Sequence, residues 1–161
     1  MGSLPKLDET DRLLLAEVQI DNRQSIEALS AKVNASPSAV QRRLAKLRAC
    51  GVIEADVSIV SPEAAGWPMT FIVEVGLERE RIDLLDAFRD TMRKLDEVQQ
   101  CYYVTGNIDF ILVVSTTDMR AYEEFSRRVF SENPNIRTYA SHVVVDRVKS
   151  GRQVAVRGGK S

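Results

Sequence analysis

The sequence predicts an α+β chain in which three short helices precede a strand–helix–strand–strand–helix–strand sandwich. Apolar residues recur at helical spacing in three runs before Gly51, each opened by capping residues. Turn and breaker residues then cluster at Ser61-Pro62, Gly66 and Pro68. Beyond that cluster the apolar period switches repeatedly between that of a strand and that of a helix. At 161 residues the chain has room for one domain or two small ones, and 44% hydrophobic with 28% charged residues is the make-up of a soluble globular protein with a core.

The first helix opens at Asp8, an N-cap residue with Asp11 three positions on, and acids in the first turn suit the helix dipole. Leu7, Leu14, Leu15 and Val18 form its inward stripe. Asp21-Asn22-Arg23 supplies turn chemistry, and Ser25 then caps a second helix with Ile26, Leu29 and Val33 inward. Ser36-Pro37 begins the third helix, with serine as N-cap and proline at the first helical position, where no donor is lost. Val40, Leu44 and Leu47 are its core stripe, and Gly51 stops it. The tight turn before this helix makes the trio a helix-turn-helix.

Val52–Val60 alternates loosely and is expected as a strand leaving that unit, which places the first unit at 1–60 and the second at 61–149. In the second unit Thr70–Val75 is rich in strand formers, and residues 81–95 carry Ile82, Leu85, Phe88, Met92 and Leu95 at helical intervals. Strands Val98–Val104 and Phe110–Val114 flank Thr105-Gly106-Asn107. Met119, Tyr122, Phe125 and Val129 stripe a further helix, Asn133-Pro134-Asn135 ends it, and Val143–Val148 is expected as the last strand. This βαββαβ order predicts a split-βαβ, ferredoxin-like sandwich with both helices on one sheet face. The other face needs a cover, which points to a homodimer. Residues 150–161, with Arg152, Arg157 and Lys160 among glycines, are expected as a flexible basic tail.

No Asp or Glu occurs between Glu27 and Glu54, while Lys32, Arg42, Arg43, Lys46 and Arg48 fall in that span of a chain whose net charge is -1. Attraction to phosphate is the simplest use of such a surface, set against the ordinary alternative of a solvated charged face. With Val40, Leu44 and Leu47 inward, Ser38, Gln41, Arg42 and Lys46 lie outward or on the flank. Gln41 and Arg42 suit base edges in the major groove; Ser36, Ser38 and Lys46 suit the phosphate backbone. Arg43 lies beside the apolar stripe, where packing or a phosphate contact fits better than base reading.

Leu7-Asp8-x-x-Asp11, Leu14-Leu15, Asp21-x-Arg23, Leu29, Ser36-Pro37-Ser38-x-Val40-x-x-Arg43-Leu44-x-x-Leu47 and Gly51-Val52-Ile53 resemble the N-terminal module of the Lrp/AsnC family of prokaryotic transcription regulators. The likeness continues through Pro62, Gly66, Val104-x-Gly106-x-x-Asp109-Phe110-x-Leu112, Thr138 and His142-Val143-Val144-Val145-Asp146-Arg147-Val148-Lys149. It covers nearly the whole chain. It implies a winged helix-turn-helix joined by a strand hinge to an amino-acid-sensing sandwich. It also implies double-stranded DNA as partner and dimers that associate further, often into octamers. In such proteins the effector, usually an amino acid, lies between neighbouring dimers against a loop of the sensor sheet, here Gly106-Asn107-Ile108-Asp109. Gly106 permits close backbone approach, and Asp109 can accept from an ammonium group; the plainer alternatives are a hairpin glycine and a turn-capping acid. The last strand should face the same cleft, which nominates Tyr139, Ser141 and His142. The chain departs from the family pattern at Ser141 and His142, and at Asn22, which stands where Gly is common and where asparagine's tolerance of positive φ accounts for it.

Other classes fare worse. Cys50 and Cys101 lack CxxC spacing, so neither a disulfide nor a zinc site is expected, and both are expected as small buried apolar residues. No cofactor or metal is expected. The N-terminus is too polar for a signal peptide and no apolar run suffices for a membrane span, which implies the cytoplasm. Some relatives of this fold are tetrapyrrole decarboxylases that use several histidines, but His142 is the only histidine here. No paired carboxylates or GxSxG, HExxH or phosphate-loop motif appears, so the chain is expected not to be an enzyme. A metabolite sensor acting only through protein partners is the remaining alternative, separable by salt-dependent DNA affinity.

Overall fold

The structure, a computed structural model, describes residues 5–151 and 153–156. It divides into two units: one runs to Ser58 and takes in the chain again from Lys149, and the other is Ile59–Val148. Arg152, Arg157 and Lys160 of the expected tail lie outside the described residues.

The first unit holds α1 (Glu9–Ile20), α2 (Ile26–Val33) and α3 (Pro37–Ala49). Asp8 and Asp11 form a reciprocal capping box at the start of α1, each carboxylate accepting from the other's backbone N–H. Ser25 and Ser36 cap α2 and α3 by accepting from the N–H groups of Ala28 and Ala39. Leu14, Leu29, Val33, Val40 and Leu44 form the buried core, with Val18, Ile26, Ala35 and Ile53 against it. The tight turn between α2 and α3 is made by Asn34, whose left-handed conformation (φ 49°, ψ 50°) ends α2. Asn34 is the positive-φ asparagine, and Asn22 is not one. Instead the Asn22 amide donates to Asp56 at 2.8 Å and accepts from Arg48.

Residues 52–60, expected as a strand, pair with nothing among the described residues, and Val57, Ile59 and Val60 are exposed. A strand requires a neighbouring backbone, and the described residues offer none there. Among the described residues the wing implied by the resemblance is therefore not a paired strand.

The second unit is built from β1 (Met69–Leu77), α4 (Ile82–Met92), β2 (Val98–Tyr103), β3 (Phe110–Thr116), α5 (Met119–Ser126) and β4 (Ile136–Val143). The sheet is antiparallel in the order β2-β3-β1-β4. Phe71, Val73, Val75, Phe110, Leu112 and Val114 face α4 and α5, burying Leu85, Phe88, Met92, Tyr122 and Phe125. A π turn, Arg127–Ser131, continues α5 and gives consecutive residues Val129 and Phe130 both a place in the core. The last strand begins earlier than expected. Val143–Val148 is the more apolar run, but only Val143 of it belongs to β4; Val144 adds one hydrogen bond to Thr70, while Val145 and Val148 stand in solvent. Pairing with β1 decides the matter, and the ladder between β1 and β4 stops at Phe71 opposite Val143.

Candidate nucleic-acid interface and sensor loop

The cations of the acid-free span have separate positions. Lys32 reaches Glu17 at 2.5 Å, Arg48 reaches Asp56 at 2.7 Å, and Arg43 bridges Asp8 at 2.6 Å and Asp11 at 2.8 Å. Each is neutralised by an acid from outside the span. Arg42 and Lys46, by contrast, are exposed and have no hydrogen-bonded or ion-paired partner among the described residues, and neither does Gln41. These three share the outward face of α3 with the exposed Ser38, while Ser36 spends its hydroxyl on the cap and on Ser38. Arg43, expected beside the apolar stripe in packing or on a phosphate, here joins α3 to the start of α1. Its hydrogen bonds to the Asp11 and Asp8 carboxylates push its guanidinium pKa up, and the Asp11 backbone N–H followed by Arg43 holds the Asp8 carboxyl down.

The sensor loop lies at one end of the sheet. Gly106 has φ 133°, and a Cβ there would meet nothing within 4 Å, so the glycine is required by backbone sign rather than by close approach. Asp109 accepts the Leu77 N–H at 2.6 Å, at the point where β1 shifts register against β4, and its own N–H donates to Val75. Its carboxylate is a structural clamp, as a turn-capping acid would be. Asn107 is exposed beside it and Ile108 is half-buried.

Strand alternation separates the three β4 candidates. Tyr139 pairs with Val75 and Ser141 with Val73, so both face the helices. Tyr139 meets Phe130 and the Ser131 hydroxyl, and the Tyr122 hydroxyl donates to Ser141. His142 pairs with Ile72 and faces the open side of the sheet, 3.8 Å from Glu74. The structure therefore does not bring Tyr139, Ser141 and His142 to one cleft. It does place Tyr103 at the loop's end, which sequence reasoning missed. The Tyr103 hydroxyl donates to Glu80 at 3.3 Å, and Arg89 sits 5.0 Å over its ring. Desolvation and then the neighbouring Glu80 carboxylate raise its phenol pKa. No motif marks these residues; only the packing of α4 on β2 joins them.

Cys50 is half-buried and Cys101 exposed, which corrects the expectation that both are buried. Among the described residues no helix is long and apolar enough to cross a membrane.

An AsnC-type helix-turn-helix domain matches residues 7–48, and the Lrp/AsnC ligand binding domain matches residues 70–154. An HTH-type transcriptional regulator of Sinorhizobium fredii is 55% identical over 145 residues, covering 90% of this chain and 86% of that protein. The leucine-responsive regulatory protein of Escherichia coli is 29% identical, covering 94% of this chain and 92% of its own. The crystal structure of a Neisseria meningitidis transcriptional regulator in complex with L-Met superposes with a TM-score of 0.86 at 28% identity, covering 92% of this chain and 96% of that one.

Proposed function

The chain belongs to the Lrp/AsnC family of transcriptional regulators, and from that premise we propose how its own residues divide the work. It is a DNA-binding regulator that responds to a small-molecule effector, and it is not an enzyme. In our proposal Gln41 and Arg42 read base edges in the major groove, and Ser36, Ser38 and Lys46 hold the phosphate backbone. The observation that carries this assignment is the sorting of charge across α2 and α3: Lys32, Arg43 and Arg48 are paired internally, while Arg42 and Lys46 are left outward beside Gln41. Two copies joined by their open sheet faces would present two such helices to successive major grooves of one pseudo-palindromic site in the cytoplasm.

The effector we propose is an amino acid held against Gly106-Asn107-Ile108-Asp109. The support is the family's ligand-binding domain and the L-Met complex of the Neisseria regulator. Exposed Asn107 supplies polar contacts there, while Asp109 holds the loop's shape. Tyr139 lies at the same end of the sheet, and Ser141 and His142 lie further along β4. Assembly of dimers into an octamer would bring neighbouring loops together.

A salt titration of DNA binding tests the reading. The logarithm of the binding constant should fall with log salt by about 0.9 per neutralised phosphate. Binding that ignores salt would leave the helix-turn-helix as a docking surface for protein instead.

A further inference from the structure

We propose that residues 153–156 form a releasable strap that holds the DNA-binding unit at a second point, so that the unit is tethered at both of its covalent junctions. Val148 ends the second unit, and the chain from Lys149 belongs physically to the first. There Gln19, near the end of α1, treats the returning backbone as a strand would. Its side-chain oxygen accepts the Val154 N–H at 2.9 Å, and its amide nitrogen donates to the Val154 carbonyl at 3.1 Å. Gln153 in turn donates to the Gln19 carbonyl at 2.7 Å. A backbone segment read by both arms of one glutamine is fixed in register, because a shift of one residue loses both bonds.

The contact is polar rather than packed. Val154 remains 71% exposed, Ile20 beside it is 73% exposed, and a groove of about 310 Å³ lined by Ala16, Ile20 and Lys149 stays unfilled beneath the segment. With little apolar area buried, such a strap opens by local unfolding far more readily than either core does. The ligand-binding domain of the family runs to residue 154, past Val148 where the sandwich itself ends. The segment therefore travels in sequence with the sensor but docks on the DNA-binding unit. A strap in that position limits the orientations open to the recognition helix before DNA arrives, which lowers the ordering cost of binding.

The inference rests on the DNA-binding reading in one of its two measurements only. The first is hydrogen exchange on the full-length protein. The Val154 amide should exchange at least about tenfold more slowly than in an open segment, and Gln19→Leu should abolish that protection. A Val154 amide that exchanges freely in the unaltered protein overturns the strap, whatever the protein does with DNA. The second measures affinity, across several salt concentrations, for a duplex selected from random sequence by the unaltered protein. Gln19→Leu and a chain ended after Gly151 should both bind about three- to tenfold more weakly, with the salt slope unchanged. Unchanged affinity in both variants overturns the tether. So does weakening confined to the shortened chain with a shallower slope, which would mean that tail cations touch phosphate directly. Failure to select any duplex would sink the DNA-binding reading and leave the exchange result to decide the strap.

Discussion

Arg42 and Arg43 are adjacent in sequence and have opposite duties. Arg42 points outward with its charge unspent, whereas Arg43 turns to Asp8 and Asp11, 35 and 32 positions earlier. Arg42→Ala should weaken specific binding by about 1–3 kcal/mol with the fold intact, as measured by anisotropy against selected and scrambled duplexes. Arg43→Met should instead lower stability, by up to about 1 kcal/mol for a partly exposed pair, with little change in the salt slope. A pH dependence follows from the same acids. The Asp8 carboxyl, held down by the Asp11 N–H and by Arg43, and the Asp56 carboxyl, held down by Arg48, both have folded pKa values below their ordinary range. Their contribution is therefore complete above the unfolded value near 3.9 and is lost as pH falls through the folded values. Thermal melts should show the Arg43→Met deficit at pH 6 shrinking progressively as pH falls below about 4; a deficit that does not shrink at all on further acidification contradicts the pairing. The cations were legible in the sequence because they fall in one span that holds no acid. Their partners were not, because the Arg43 clamp exists only once α1 and α3 pack together.

At the scale of elements, local pattern and long-range pairing disagree in the last strand, and pairing prevails. Val143–Val148 has the better β composition, yet its pairing with β1 stops at Val143, with one further hydrogen bond from Val144 to Thr70. The earlier run, Ile136–Val143, is more polar because one of its faces meets hydroxyls of α5 and the π turn. Helix caps, turns and the sheet order were readable, since capping and period are local chemistry. The strand's register was not. The same register revises what Asp109 can reveal. Asp109→Ala removes the acceptor of the Leu77 N–H, so it should cost about 1–3 kcal/mol of stability along with any effector response. Asn107→Ala is the cleaner probe: melting should stay near that of the unaltered protein while thermal-shift responses across the twenty amino acids disappear. A full response in Asn107→Ala would move the pocket away from this loop.

For the whole molecule the open side of the sheet is the deciding feature. Each unit has its own core, so neither needs the other to bury apolar residues. The sheet, however, covers only one of its faces. Ile72, Ile111 and Val113 point away from α4 and α5, bordered by Glu74, His142 and exposed Tyr102, an apolar centre with a polar rim. A second copy laid on this face would bury that centre and link two recognition helices, so that the second helix binds as if at very high local concentration. Val113→Glu places a charge at the middle of the face and leaves the helix-side core untouched. By sedimentation velocity this variant should be monomeric at concentrations where the unaltered chain is dimeric or larger. Its affinity for a two-half-site duplex should fall about a hundredfold or more, toward that for a single half-site. Arg42→Ala should lose DNA affinity while sedimenting normally, which separates the two effects. If Val113→Glu keeps the original assembly and binds both half-sites as before, the copies are joined elsewhere, and the open face has another cover.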